Sequence, residues 1–138
     1  MNLQINKVRL MKPIVKIING VIIDLPRPKN INGLWNFGSL LGLFLGIQLV
    51  SGVFLSFRYV RRVDCAFGSV DLIMRDVLCG SIVRIIHSNG ATFFFLFLYI
   101  HMFRGLYYFS YRYREVWMIG CIIFVLSMAV AFLGYVLP

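Results

Sequence analysis

Charged residues are scarce in this sequence, and acidic residues are scarcer still. Only 14% of the 138 residues are charged, and 14 lysines and arginines face just 5 aspartates and glutamates. A soluble domain carries roughly 25% charged residues, and so few charges would cover the surface of a small domain poorly. Since 60% of the residues are hydrophobic and the mean hydropathy is +0.84, much of the chain is predicted to lie in lipid. An ordinary soluble domain and a disordered tail are excluded.

Cysteine is also rare and has no recognisable spacing. Cys65, Cys79 and Cys121 form no CxxC pair or other metal-binding pattern. Cys65 and Cys79 share a polar stretch and could pair, but unpaired thiols are the favoured interpretation. A secreted disulfide scaffold is therefore excluded as well.

The surplus of positive charge does not form one basic face. Lysines and arginines flank three long apolar runs, and their largest excess precedes the first run. This distribution is typical of residues at a membrane boundary, not of a nucleic-acid-binding surface. We therefore expect membrane lipid and no nucleic acid as a partner, with the N-terminus on the cytoplasmic or matrix side.

Three uncharged stretches predict an all-α membrane protein with three transmembrane helices. Helix A covers residues 35–57, helix B residues 85–103 and helix C residues 116–138. Each stretch is long enough to cross a bilayer at a rise of about 1.5 Å per residue.

The segments outside these helices are polar or amphipathic. Residues 1–34 are predicted to form an N-terminal interfacial segment with one short helix, because isoleucines recur there at helical spacing before a Pro-Arg-Pro sequence. Residues 58–84 form the A–B loop, in which a short helix is expected around residues 70–77. Residues 104–115 form the B–C loop.

Helix B contains both histidines of the chain, His87 and His101. Their separation of 14 residues places them on one side of a helix, about 40° apart in rotation and about 21 Å apart along the axis. A polar side chain at bilayer depth usually has a partner or a function. The pair could bond to neighbouring helices or provide axial ligands to two stacked haems, whereas a single zinc ion could not reach both.

Glycines repeat the same interval on the other two helices. Gly38 and Gly52 of helix A are 14 residues apart, as are Gly120 and Gly134 of helix C. A flat macrocycle edge-on to a helix needs positions without a Cβ. Glycine can also simply permit close helix packing, but the same interval on all three helices favours two haems.

Antiparallel connections between the helices predict two layers, each with one histidine and two glycines. The His101 layer contains Gly38, His101 and Gly120, and the His87 layer contains Gly52, His87 and Gly134. Arg84 and Arg104 lie one turn or less outside the histidines. They could pair with haem propionates or extend to lipid headgroups.

Longer strings resemble a known family. They are Ile23 to Pro26, Trp35 to Gly42, Ala66–Phe67, Arg75 to Val77, Arg84, His87 to Ala91, Arg104 to Tyr108 and Gly134 to Pro138. Over nearly its full length the chain resembles cytochrome b of the respiratory quinol–cytochrome c reductase, the bc1 complex. The resemblance implies part of a four-helix, two-haem bundle. It also implies a multi-pass location in the mitochondrial inner membrane in preference to a bacterial plasma membrane.

The resemblance implies a role for each matching residue. His87 would ligate the iron of the low-potential b-type haem and His101 that of the high-potential one. The four glycines would flank the haems, and Arg84, Arg104 and Trp117 would contact their propionates. Asn36 and Ser39 would lie near the quinone-reduction pocket. Met128, Phe132 and Tyr135 would lie near the quinol-oxidation pocket.

The resemblance also implies partners. In the family, quinol oxidation sends one electron to a Rieske iron–sulfur protein and the other through the two haems to quinone. We therefore expect an electron-transfer subunit of a dimeric complex with the Rieske protein and cytochrome c1, inactive as an isolated chain.

The opposing axial ligands of the family come from a fourth helix, which this sequence does not contain. They would come from a second polypeptide of a split cytochrome b, from the rest of a longer chain, or from a second copy in a homodimeric di-haem cytochrome. The alternative function is a non-catalytic structural or assembly subunit of a membrane respiratory complex.

Overall fold

The computed structural model of the protein describes residues 13–22 and 29–138. Within these ranges the chain is helical and contains no β-strand, which confirms the predicted all-α class. The α-helices are α1 (Pro13–Ile22), α2 (Phe37–Ser56), α3 (Ala66–Arg75), α4 (Gly80–Tyr107) and α5 (Arg114–Tyr135). Short 3-10 turns at Gly33–Asn36 and Ser110–Arg112 precede α2 and α5.

Helix α1 belongs to a separate compact unit, residues 1–31. It begins at Pro13, a residue suited to the first turn because its missing N–H would have no helical partner there. Ile14, Ile17 and Ile18 recur at helical spacing and are all exposed, which gives the helix an apolar side suited to a membrane interface. The rest of the predicted interfacial segment before residue 29, residues 1–12 and 23–28, lies outside the described residues.

Three helical stretches are long and apolar enough to span a membrane. They are Gly33–Ser56, Gly80–Tyr107 and Arg114–Tyr135, and they make the chain a multi-pass membrane protein. Helix α4 extends past the predicted helix B at both ends and includes Arg84 and Arg104. Charge is a poor marker of where a helix ends, because long arginine side chains near a membrane surface can extend to water.

Aromatic rings fill the space between α2 and α4. The ring of Phe44 lies 5.6 Å from that of Phe93 and 5.3 Å from that of Phe97, measured between centroids. Phe37 lies 5.7 Å from Phe97. Such tilted pairs bring both van der Waals and quadrupole attraction, so the two helices pack side by side along their length.

Helix α5 packs more loosely, through a few contacts with α4. The rings of Tyr99 and Phe124 meet edge to face at 6.1 Å, and the indole of Trp117 lies against Gly105. None of its side chains is buried. Most of the apolar surface of α5 is therefore left for lipid or for another helix.

The connection between α2 and α4 contains α3. Ala66 and Ile73 are buried, and α3 packs against α4. Arg62 donates two hydrogen bonds to the Asp64 carboxylate and holds the pKa of Asp64 below its usual value. All three cysteines are free, as expected.

A tight corner joins α3 to α4. Cys79 has a left-handed backbone with φ of 58°, and the next residue, Gly80, is buried. A Cβ at position 80 would overlap the backbone carbonyl of Ile73. Glycine is needed here because the carbonyl belongs to the main chain and cannot rotate away as a flexible side chain could.

Gly80→Ala is expected to destabilise the assembled protein by about 1–3 kcal/mol, the usual cost of overpacking. Gly68→Ala is the matched control, since no atom lies within 4 Å of a Cβ at that position of α3. Thermal unfolding of the purified complex measures both. Equal unfolding temperatures for the two variants would contradict the requirement for glycine at position 80.

Candidate functional site

In the His101 layer, Gly38 of α2 lies directly against His101 of α4. A Cβ at position 38 would lie 3.2 Å from His101 Cε1 and 3.5 Å from Nδ1. The first distance is shorter than ordinary carbon–carbon contacts of about 3.5–4.0 Å. The close approach of helix backbone and imidazole therefore depends on glycine.

Arg104 lies one turn beyond His101, where α4 meets the turn before α2. Its guanidinium carbon is 3.8 Å from the Trp35 ring centroid and 5.7 Å from that of Tyr108. Its Nε is buried and has no hydrogen-bond partner among the described residues. A buried N–H without an acceptor is costly, so this cation is suited to an anionic group such as a carboxylate.

In the His87 layer, Gly52 has the matching position. A Cβ there would lie 3.2 Å from His87 Cε1. The two glycine–histidine pairs thus run in opposite order along α2 and α4, which is the register expected of antiparallel neighbours.

Hydrogen bonds from α2 hold His87 at two points. Ser51 Oγ is 2.8 Å from His87 Nδ1, and Gln48 Nε2 donates to the His87 carbonyl at 2.8 Å. Gly90 makes room for the amide, because a Cβ at position 90 would lie 2.6 Å from Gln48 Nε2. Ser51 is only 6% exposed, so these polar contacts are shielded.

The third predicted member of each layer, Gly120 or Gly134, makes no close contact with its histidine. A Cβ at Gly120 or Gly134 of α5 would meet no atom within 4 Å. Trp117, predicted to contact a propionate, lies against Gly105. Arg84, the other predicted propionate contact, is exposed.

The residues predicted near the quinone pockets lie on two different helices. Asn36 and Ser39 are exposed at the start of α2, where Ser39 Oγ donates to the Asn36 carbonyl at 2.8 Å. Met128, Phe132 and Tyr135 are exposed on α5.

Each layer offers one imidazole as a ligand. Within residues 13–22 and 29–138, no group of three or more histidine, cysteine or acidic side chains could hold a bare metal ion. A single imidazole is enough to ligate haem iron at one axial position, because the macrocycle already supplies four nitrogen ligands.

Comparison with known proteins identifies the family. The profile described as "Cytochrome b/b6/petB" matches residues 22–138. The chain belongs to the cytochrome b family. Its curated relative "Cytochrome b" from Myzostoma seymourcollegiorum is 54% identical over 125 residues, which is 91% of this chain and 33% of the relative.

A solved structure has the same fold. The chain matches a component of "Hyperthermophilic respiratory Complex III" with a TM-score of 0.87 and 33% identity, over 97% of this chain and 35% of the other. The chain thus spans about a third of the length of these two relatives.

Ser51, Gln48 and Gly90 were missed by the sequence analysis. A signal was available, because Gln48 and Ser51 are polar residues deep in an apolar helix, and such residues usually have a partner. Gly90 follows His87 by one helical turn. The packing of α2 against α4 is what shows that the Gln48 amide occupies the space beside Gly90.

Gly90→Ala is expected to displace the Gln48 amide and destabilise the α2–α4 pair by about 1 kcal/mol, the net worth of one hydrogen bond. In a Gln48→Leu background the same substitution should cost much less, because the bond is already absent. Thermal unfolding of the complex measures this double-mutant cycle. Gly46→Ala is the control, since its Cβ would meet nothing within 4 Å. Strictly additive effects would show that Gly90 serves no hydrogen bond.

Proposed function

We propose that the chain is the haem-bearing electron-transfer part of a quinol–cytochrome c oxidoreductase. The observation that carries this proposal is the placement of one imidazole against one glycine in two layers. Gly38 faces His101 and Gly52 faces His87, and both histidines belong to the single helix α4. Membership of the cytochrome b family supports b-type haem as the cofactor.

The residues present fit two haems. A Cβ on either α2 glycine would crowd the imidazole, and the buried Nε of Arg104 lacks an acceptor that a propionate would supply. His87 would ligate the low-potential haem and His101 the high-potential haem. Arg84 and Trp117 are further propionate contacts, and Gly120 and Gly134 give clearance on the α5 side.

The haem iron supplies a one-electron carrier in each layer. The two imidazoles lie about 21 Å apart along α4, since 14 residues separate them at about 1.5 Å each. Helix α4 would therefore hold the two ligand positions at different depths, near opposite membrane surfaces. The side chains that pack between α2 and α4 at intermediate depth, Phe44, Phe93 and Phe97, are apolar.

A second axial ligand for each iron would have to come from residues other than these 138, because the sequence contains only two histidines and each belongs to a different layer. The partner is a second polypeptide, the remainder of a longer chain, or a second copy. The exposed surface of α5 is consistent with further helices in the assembly. We propose that the chain is inactive without them, and that the Rieske protein and cytochrome c1 complete a dimeric complex.

Quinone and quinol are the proposed substrates, in the mitochondrial inner membrane. Asn36 and Ser39 are assigned to the quinone-reduction side. Met128, Phe132 and Tyr135 are assigned to the quinol-oxidation side.

His87→Leu and His101→Leu are each expected to remove one of two b-type haems, because leucine keeps the apolar volume but has no ligand atom. A pyridine haemochrome assay and a redox titration of the purified complex measure the loss. Thr92→Val is the control, as Thr92 is an exposed polar residue of the same helix. Full haem content in both leucine variants would overturn the ligand assignment and favour a structural subunit. Co-purifying polypeptides then identify the source of the second ligands.

Gly52→Val is expected to lower occupancy of the haem at His87 severalfold, because a branched side chain would fill the space beside the imidazole. Gly46→Val introduces the same helix-disfavouring residue on the same helix, but a Cβ there meets nothing within 4 Å. Haem content per complex measures both variants. Comparable losses in the two would show that position 52 acts only through helix stability.

A further inference from the structure

Ser51 fixes which nitrogen of His87 carries the proton. Its Oγ is 2.6 Å from the Ile47 carbonyl and 3.3 Å from the Gln48 carbonyl. A carbonyl only accepts, so the single hydroxyl proton must point to the backbone of α2. The same oxygen, 2.8 Å from His87 Nδ1, then accepts the Nδ1–H. Nε2 is left with its lone pair free for a metal.

The position of this bond is reinforced by the main chain. Gln48 Nε2 donates to the His87 carbonyl, so one residue of α4 is held both at its backbone and at its ring. The bond from Ser51 is also shielded, since Ser51 is one of the few side chains that are buried among the described residues.

The His101 layer lacks this arrangement, although it repeats the rest. The residues 14 positions before Ser51 and Gln48 are Phe37, at the start of α2, and Leu34, in the turn before it. Neither has a polar side-chain atom. The structure shows no hydrogen bond from the described residues to the His101 ring. A Cβ at Gly38 or Gly52 would lie 3.2 Å from Cε1 of the facing histidine in both layers, so the layers match in shape and differ in hydrogen bonding.

Besides the two differences at the Ser51 and Gln48 positions, the layers differ at one position of α4. Gly90, which makes room for Gln48, corresponds to Arg104 after 14 residues. The His87 layer thus has a neutral acceptor on its imidazole, while the His101 layer has a fixed positive charge one turn away.

From this contrast we infer that Ser51 is a positioning residue that lowers the reduction potential of the haem held at His87 relative to the haem at His101. The inference rests on the proposed ligation. An acceptor on the distal N–H of a ligating histidine fixes the ring and raises its basicity. A more basic ligand stabilises the oxidised iron, so the electron is held less tightly.

The test is a potentiometric titration of both haems in the complex with Ser51→Ala. Removal of one neutral hydrogen bond should change the reduction equilibrium roughly threefold to tenfold, an upward shift of roughly 30–60 mV for a one-electron couple. The potential of the haem at His101 should not move. Ser56→Ala is the matched control, because that hydroxyl donates only to the Val53 carbonyl of its own helix.

Two further variants keep the inference testable if Ser51→Ala does not assemble. Ser51→Thr retains the hydroxyl and should restore the wild-type potential. Ser51→Cys has a similar shape but a weak acceptor and should raise the potential of the His87 haem. Two retained haems with unchanged potentials in Ser51→Ala or Ser51→Cys would overturn the inference. Two haems retained in His87→Leu would instead overturn the proposed ligation.

Discussion

The close approach of α2 to α4 depends on two positions that have no Cβ. At Gly38 and Gly52 a methyl group would lie 3.2 Å from a histidine ring, so any larger side chain would separate the helices or turn the imidazoles aside. The phenylalanines between the helices and the hydrogen bonds around His87 are possible only at this separation. Packing and ligand placement therefore have one common cause.

The constraint acts unequally on the three membrane-spanning helices. Helices α2 and α4 form a well-packed pair, whereas α5 meets α4 through isolated aromatic contacts and keeps its own glycines, Gly120 and Gly134, in open space. One side of each imidazole is thus defined by this chain. The chain spans about a third of the length of the two relatives it matches.

The features of the fold that depend on a single physical rule could be predicted from the sequence. Hydropathy predicted the three spans, and the interval between His87 and His101 predicted their common side. The predicted helix B, residues 85–103, is shorter at both ends than α4, which runs from Gly80 to Tyr107. The prediction ends at Arg84 and Arg104 because charged residues usually lie outside a membrane span. The contacts of Ser51 and Gln48 could not be predicted, since they depend on how α2 and α4 are rotated against each other.

The 14-residue interval shared by the glycines of α2 and the histidines of α4 limits where residues can be inserted or deleted. One residue inserted between positions 87 and 101 would rotate one imidazole by about 100° and shift it by about 1.5 Å. Restoring the register would then require a compensating insertion in α2. A substitution in this stretch that preserves the packing of Phe93 and Phe97 against α2 leaves the register intact, whereas a single insertion or deletion breaks one of the two glycine–histidine contacts.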